Sequence, residues 1–218
     1  MAGDAFSGTA VVPDLVLVSD VVPDVIQEIR YYSTYNFLGR RVAGYLEPCA
    51  LLARPAAQAL RAASDEFVRL GYRIKVFDAY RPQRAVDDFV AWARDLSDQR
   101  MKPVFYPGVD KSELFERGYI AARSAHSRGG CLDMTLLDAA SGREVDMGSP
   151  FDFFGEVSHG DYAGLAPEQL ANRALLRDVM VRHGFVPYAE EWWHYTLADE
   201  PYPDTCFDVP VSSRGCGA

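Results

Sequence analysis

The sequence predicts an α+β fold, a compact single domain in which helices pack on a mostly antiparallel sheet. Helical segments and short hairpin-like segments are mixed, without the regular alternation of strand and helix that builds a parallel sheet. No change in composition marks a linker, and no repeat with a period of about 20–50 residues occurs. Residues 1–218 are therefore expected to form one domain, with residues 1–10 and 211–218 flexible. A small α/β fold is the alternative.

The first part of the chain predicts little regular structure before its first long helix. Residues 11–22 have the composition of a strand, and Pro23 is placed where it would open a helical turn. An aromatic loop punctuated by glycines follows over 35–45. A helix is predicted over roughly 50–70, where apolar residues recur at intervals of three and four and a glycine follows immediately.

The rest of the chain predicts strands interspersed with two further helices. The helices cover 82–96, where Pro82 fits the first turn, and 167–183, which Gly184 ends. The predicted strands are rich in β-branched and aromatic residues, and the second and third of them are joined by a turn. They cover 72–80, 131–138, 143–148, 185–188 and 191–197.

Composition and charge exclude several classes of function. The chain holds 22 Lys and Arg against 31 Asp and Glu, a formal net charge of −9. An acidic chain without a basic run is a poor partner for nucleic acid or an anionic membrane. No apolar run approaches the roughly 20 residues of a transmembrane helix. The N-terminus lacks the features of a secretory signal, and the 4 cysteines lack a framework spacing, so a cytoplasmic protein with reduced thiols is expected.

The candidate chemistry centres on two of the 4 histidines. His126 lies in a glycine-rich bend, SAHSRGGCLD, before the strand that bears Asp133, so the two side chains can converge. His194 lies in EEWWHYT, where a buried imidazole needs a polar partner. Two histidines and one aspartate with a fourth position free form a common pattern of catalytic zinc. From composition alone, a histidine that is only hydrogen-bonded, in the core or at the surface, is the commoner alternative to a ligand. His159 is interpreted as a loop residue, and His183 as a residue at a helix C-terminus, where a cation is favoured by the helix dipole.

These segments carry a resemblance to a known family. SAHSRGGCLD resembles the SxHxxGxAxD motif, and EWWH the ExxWH motif, of the D-alanyl-D-alanine dipeptidases of the VanX type. That family belongs to a larger group of zinc peptidases that cut D-Ala-containing cell-wall peptides. NFLGRRVAGY, FDAYRPQRAV, MGSPFDF and DEPYP are similar to further segments of the family in the same order, so the resemblance covers roughly residues 25–210.

The resemblance implies a metal centre and a residue that acts on the transition state. Zn²⁺, one per chain, would be bound by His126, Asp133 and His194. Zinc lowers the pKa of its bound water to about 7 and so provides a nucleophile. Arg81, in DAYRP, would donate to the carbonyl oxygen as that oxygen becomes anionic. Without the motif, Arg81 would be interpreted as a surface arginine.

The resemblance also implies that Glu191 is the catalytic base. Positions 191 and 194 of a flat strand face opposite sides, so Glu191 is expected on a bend or bulge just before a strand that begins at Trp192. Glu190 is the competing candidate, and only the motif favours Glu191.

Contacts to the dipeptide are implied at Ser124, Tyr31 and Asp152. Asp152 and the hydroxyl of Tyr31 would hold the free ammonium group, and Ser124 would donate to the carboxylate or the backbone of the substrate. Cys131 departs from the motif, which has Ala at this position. Because positions 131 and 133 of a strand point to the same side, the thiol either replaces one small apolar group by another or lies near the metal.

The implied activity is hydrolysis of free D-Ala-D-Ala by a cytosolic zinc dipeptidase, which lowers the dipeptide supply for cell-wall precursors, as in glycopeptide resistance. A D,D-carboxypeptidase acting on longer muropeptides is one alternative; it would need no ammonium partner at Asp152. A non-catalytic zinc-bearing binding module is the other, and Glu191 and Arg81 argue against it. The expected partner is the small dipeptide, with neither nucleic acid nor membrane, and a homo-oligomer is left open.

Overall fold

A computed structural model describes residues 12–215 of the chain. Residues 1–10 and 216–218, for which the sequence predicts flexibility, lie outside the described part. The prediction of a loose tail from residue 211 is wrong for the tail's first residues. Val211 is buried, and its amide donates to the carbonyl oxygen of Gly44 at 2.8 Å. The end of the described chain is therefore packed on the loop around Gly44.

In the described part of the chain, only short elements precede residue 54, and the long helices and strands all follow it. The helices are α1 (Val18–Val21), α2 (Arg54–Arg69), α3 (Gln83–Arg94), α4 (Lys102–Phe105) and α5 (Pro167–Arg182). The strands are β1 (Leu15–Leu17), β2 (Ile26–Gln27), β3 (Leu51–Ala53), β4 (Tyr72–Asp78), β5 (Cys131–Asp138), β6 (Phe185–Tyr188) and β7 (Glu191–Leu197). A 3₁₀ turn over Ala125–Arg128 leads into β5.

The larger sheet has five strands in the order β2–β4–β5–β7–β6. The pairs β4–β5, β5–β7 and β7–β6 are antiparallel, and β2 pairs with β4 in the parallel direction. Strands β1 and β3 form a separate antiparallel pair. This arrangement confirms the predicted α+β fold with a mostly antiparallel sheet, and it places β4, β5 and β7 side by side at its centre.

Helix α2 shows why the apolar periodicity predicts a helix and why its predicted start is wrong. Its buried side chains form one apolar stripe that belongs to the core: Ala56, Leu60, Ala63 and Phe67. The predicted start at residue 50 includes three buried residues that instead form β3 and pair with β1. Pro55 lies in the first turn of the helix, where the backbone N–H groups have no partner within the helix, so the missing N–H of proline costs no hydrogen bond. Gly71 follows the helix with a φ of 88°, a conformation that favours glycine.

Three further predictions differ from the structure. Of the described part of the predicted strand over 11–22, only Leu15–Leu17 form a strand, and Val18–Val21 form α1. No helical turn begins at Pro23 in the described chain; the backbone is extended at β2, which pairs with β4, and a 3₁₀ turn forms later, over Arg30–Tyr32. The segment 143–148 adds only an isolated bridge between Glu144 and Leu137, not a strand. The 3₁₀ turn matters for the site because it carries Tyr31.

Candidate active site

One cavity of about 410 Å³ collects the eight residues that the sequence singles out, although they are spread from position 31 to position 194. The cavity opens beside the central strands of the large sheet, and each of the eight contributes to its lining. They are Tyr31, Arg81, Ser124, His126, Asp133, Asp152, Glu191 and His194.

The three predicted metal ligands form a tight triangle. Antiparallel pairing of β5 with β7 sets Asp133 opposite His194, and the 3₁₀ turn before β5 brings in His126. His126 Nε2 lies 3.1 Å from His194 Nδ1. Asp133 Oδ1 lies 3.3 Å from His126 Nε2 and 3.2 Å from His194 Nδ1. One atom of each residue therefore points at a common centre.

This triangle fits a tetrahedrally coordinated cation such as Zn²⁺. Bonds of about 2.0–2.2 Å to nitrogen and oxygen separate neighbouring ligand atoms by roughly 3.3–3.6 Å, close to the edges of the triangle. Asp133 Oδ1 is buried and has no hydrogen-bond donor among the described residues, and a bound cation would satisfy it. Burial alone would raise the pKa of Asp133, but His126 and His194 hold it well below its usual range.

The orientation of His126 is set from outside the triangle. Its Nδ1 lies 2.7 Å from the carbonyl oxygen of Ala79. Because a carbonyl only accepts hydrogen bonds, the proton resides on Nδ1, and the lone pair of Nε2 faces His194 and Asp133. A neutral imidazole with a lone pair directed at the centre is the form that binds a metal.

Arg81 lies just beyond the end of β4, and a buried acid fixes its guanidinium. Its Nε donates to Asp78 Oδ2 at 2.9 Å, and Asp78 Oδ1 accepts a hydrogen bond of 2.6 Å from the hydroxyl of Tyr45. Its Nη2 lies 3.6 Å from Asp133 Oδ2, so the far edge of the guanidinium reaches the triangle. Asp78 is not among the site residues that the sequence predicts, although it stands three positions before Arg81 in the segment FDAYRPQRAV.

Glu191 reaches the triangle through an irregularity in β7. Pro187 pairs with Tyr195, yet the next residue of β6 pairs with Glu191, so three residues of β7 have no counterpart on β6. This bulge leaves Glu191 Oε2 3.7 Å from His194 Nδ1. The expected bulge is present, but it lies within β7 after Glu191 and not before a strand that begins at Trp192.

The electrostatic environment distinguishes Glu191 from its neighbour Glu190. Burial raises the pKa of Glu191 to about 7, with His194 opposing and Asp133 reinforcing the shift. Glu190 is exposed and accepts a hydrogen bond of 2.9 Å from the hydroxyl of Tyr188. Of the two acids, only Glu191 lines the cavity.

Asp152 is a buried acid that is hydrogen-bonded to Tyr31 in the described part of the chain. It has a φ of 61°, a left-handed conformation that residues other than glycine rarely adopt, and it is 6% exposed. The hydroxyl of Tyr31 lies 3.0 Å from Oδ2 and 3.2 Å from Oδ1. Burial first, and then the nearby Asp133 and Glu191, raise its pKa well above the usual range. A ligand cation beside Asp152 would offset both effects.

Comparison with known proteins places the chain in a family. A family profile described as D-ala-D-ala dipeptidase matches residues 12–212. The chain belongs to the D-ala-D-ala dipeptidase family. It is 40% identical over 199 residues to the D-alanyl-D-alanine dipeptidase of Streptomyces coelicolor, covering 91% of this chain and 98% of that protein. It is 42% identical over 185 residues to the protein of the same name from Enterococcus faecalis, covering 85% and 92% of the two chains.

A third protein with this name, from Enterococcus faecium, is 39% identical over 192 residues, which cover 88% of this chain and 95% of that protein. These matches confirm the resemblance that the motifs indicate. The match to the family profile spans both motif segments and nearly the whole described chain.

In this member of the D-ala-D-ala dipeptidase family, the loop that bears Asp152 is held at both ends by one buried arginine. Arg173, on α5, donates from Nε to the carbonyl oxygen of Met147 at 2.6 Å. It donates from Nη1 to the carbonyl oxygen of His159 at 2.7 Å and from Nη2 to that of Val157 at 2.8 Å. The sequence does not predict this role of Arg173, because an arginine in a predicted helix is typical of the helix's solvated face.

Ser124 and Cys131, the two remaining residues that the sequence draws attention to, each form hydrogen bonds beside the triangle. Ser124 caps the 3₁₀ turn: its Oγ accepts from the amide of His126 at 3.3 Å and from Arg81 Nη1 at 3.4 Å. Cys131 is fully buried, and its Sγ lies 2.9 Å from Thr196 Oγ1. The thiol is not one of the three atoms of the triangle, but it acts on His194 as well as on Thr196. Burial lowers the pKa of the His194 imidazole, whereas Asp133 and then Cys131 raise it, and the pKa lies well above its usual range.

Proposed function

We propose that the protein is a zinc-dependent dipeptidase that hydrolyses free D-Ala-D-Ala to two molecules of D-Ala. The relatives that share about 40% of its residues over most of its length carry the name D-alanyl-D-alanine dipeptidase. The observation that carries the proposal is the presence, in one cavity, of a metal-type ligand triangle and a separate buried carboxylate, Asp152. The first suits hydrolysis of a peptide bond, and the second suits a substrate with a free amino terminus.

The proposed metal ligands are His126, Asp133 and His194. Zn²⁺ bound by them would act as a Lewis acid and would lower the pKa of a water molecule to about 7. Glu191 is the proposed general base: its carboxylate lies beside the ligand nitrogen of His194 without belonging to the triangle. Glu191 accepts the proton of the attacking water and then passes it to the leaving amine.

Arg81 is proposed to stabilise the oxyanion that forms at the scissile carbonyl. The hydrogen bond from Arg81 Nε to Asp78 fixes the orientation of the guanidinium. Nη1 and Nη2 then lie on the cavity side, near Ser124 and Asp133. Donors that are already oriented before the reaction lower the barrier more than donors that must reorganise. Ser124 is proposed to donate to the substrate's carboxylate or backbone.

Asp152 and Tyr31 are proposed to bind the substrate's ammonium group. Within residues 12–215, the hydrogen-bond donor to the buried Asp152 carboxylate is the hydroxyl of Tyr31, and a cation placed against the carboxylate would stabilise its charged form. The cavity of about 410 Å³ lies near the lower end of the roughly 300–1,000 Å³ that small-molecule sites occupy, which suits a dipeptide. A D,D-carboxypeptidase acting on longer peptides would have no ammonium group at this position, so the buried Asp152 favours the dipeptidase.

A cytoplasmic location and a role in limiting the dipeptide supply for cell-wall precursors belong to the same proposal. Among the described residues, no helix combines the length and the apolar character needed to cross a bilayer.

The experiment that tests the proposal is release of D-Ala from free D-Ala-D-Ala and from N-acetyl-D-Ala-D-Ala, each with and without a chelator. We expect turnover of the free dipeptide alone and its loss in the chelator. Equal turnover of the acetylated substrate would favour the carboxypeptidase. Absence of turnover on both substrates in protein that has bound zinc would favour a non-catalytic binding module.

A further inference from the structure

The two histidines of the triangle present different nitrogens to it. His126 points Nε2 inward and is anchored through Nδ1 by the carbonyl oxygen of Ala79. His194 points Nδ1 inward, and its Nε2 lies 3.2 Å from Thr196 Oγ1. The outer partner of His194 is thus a hydroxyl and not a carbonyl. A hydroxyl both donates and accepts, so Thr196 alone does not decide which nitrogen of His194 carries the proton.

The second neighbour of Thr196 is a buried thiol, which can accept the proton of the Thr196 hydroxyl. Pairing of β5 with β7 sets Cys131 opposite Thr196, and Cys131 Sγ lies 2.9 Å from Thr196 Oγ1. Cys131 is fully buried. When the thiol accepts the hydroxyl proton, the lone pairs of Thr196 Oγ1 face Nε2, and the imidazole must donate from Nε2. Nδ1 then presents its lone pair to the triangle.

We propose that Thr196 is a positioning residue for the metal ligand His194, and that Cys131 sets the direction of its hydroxyl. The hydrogen bonds run from His194 Nε2–H to Thr196 Oγ1, and from the Thr196 hydroxyl to Cys131 Sγ. This inference deepens the proposed function, because it concerns the same metal site. It assigns Cys131 a role outside the metal coordination, as a hydrogen-bond partner of Thr196 and not as a ligand.

The matched pair of variants Thr196→Val and Thr196→Ser separates the hydroxyl from the packing of this side chain. Valine keeps the branched shape that suits a strand but leaves the Nε2–H of His194 without its acceptor. Loss of such an outer partner typically lowers metal affinity by about 10–100-fold, and we expect a loss in that range. Serine keeps the hydroxyl, so Thr196→Ser should bind Zn²⁺ within a few-fold of the unchanged protein.

A second pair tests the part played by Cys131. Cys131→Ser keeps an acceptor for the Thr196 hydroxyl and should leave the affinity for Zn²⁺ unchanged. Cys131→Ala removes that acceptor while His194 still contacts Thr196. We expect Cys131→Ala to weaken zinc binding by several-fold, which is less than the loss in Thr196→Val.

The experiment is competition for Zn²⁺ between each full-length protein and a chromophoric chelator, with circular dichroism as the check on folding. Long-range ¹H–¹⁵N NMR of the zinc-loaded proteins reports which nitrogen of His194 carries the proton. We expect a protonated Nε2 in the unchanged protein and a changed Nε2 shift in Thr196→Val. Folded Thr196→Val with unchanged affinity and shift would overturn the role of Thr196, and unchanged affinity in Cys131→Ala would overturn that of Cys131. Failure of the unchanged protein to bind zinc would instead refute the metal site.

Discussion

Replacement of Asp152 by asparagine separates the charge of the proposed ammonium site from its shape. Asparagine tolerates the left-handed backbone at this position and still accepts the hydrogen bond from Tyr31, so the loop should keep its conformation. Asp152 is only 6% exposed, and the broken pair would therefore be a buried one. Loss of one partner of a buried pair costs about 3–5 kcal/mol. With a tenfold change in rate for each ~1.36 kcal/mol, kcat/KM for free D-Ala-D-Ala should fall by roughly 10²-fold to more than 10³-fold.

The assay measures the release of D-Ala and gives kcat/KM for free D-Ala-D-Ala and for N-acetyl-D-Ala-D-Ala. The acetylated substrate carries no ammonium charge, so Asp152→Asn should change its cleavage little and should narrow the gap between the two substrates. Glu190→Gln serves as the control. It removes an exposed carboxylate from the turn between β6 and β7, and we expect no change in kcat/KM for either substrate. If Asp152→Asn lowers both values equally, the gap is set by the shape of the pocket, and the reasoning about charge is refuted.

Three further predictions concern the catalytic groups. Glu191→Gln should keep the bound metal and lower kcat by about 10²–10⁴. An inactive Glu190→Gln together with an active Glu191→Gln would show that Glu190 is the base. Arg81→Ala should lower kcat by about 10²–10³ with a smaller change in KM, because the developing oxyanion carries more charge than the carbonyl of the bound substrate; a change in KM alone would place Arg81 on the substrate carboxylate. In the metal-free protein, burial raises the pKa of Glu191 from 4.5 to about 7. Between these two pH values the Glu191 carboxyl is protonated in the folded state and ionised in the unfolded state, so the free energy of unfolding should fall as the pH rises from 4.5 to about 7. Glu191→Gln should lose that part of the slope in denaturant titrations at several pH values, and identical slopes would contradict the assignment.

The sequence predicts the candidate site more completely than it predicts the order of elements before residue 54. The site residues lie in motifs whose spacing is visible along the chain, and the structure brings His126, Asp133 and His194 together as the resemblance implies. Residues 50–53 continue the apolar pattern of α2, so local periodicity cannot distinguish them from the helix. Their pairing with β1, which is a non-local contact, decides that β3 is a strand.

The residues that hold the site in place were harder to predict, because their roles depend on tertiary contacts. Asp78 looks like the last polar residue of a strand until Arg81 folds back onto it. Arg173 looks like a solvated helix residue until three carbonyl oxygens of the Asp152 loop meet its guanidinium. The position of the bulge in β7 is likewise set by pairing with β6, which no motif encodes.

The most direct test of the central claim is a titration of metal-free protein with Zn²⁺, followed by the rate of D-Ala release from free D-Ala-D-Ala. A single catalytic centre of His126, Asp133 and His194 predicts that the rate rises in proportion to added zinc and reaches a plateau at one equivalent per chain. In His126→Ala and His194→Ala, folded protein should show neither the rise nor tight binding. Full activity before zinc is added, or a plateau at two equivalents, would contradict the account.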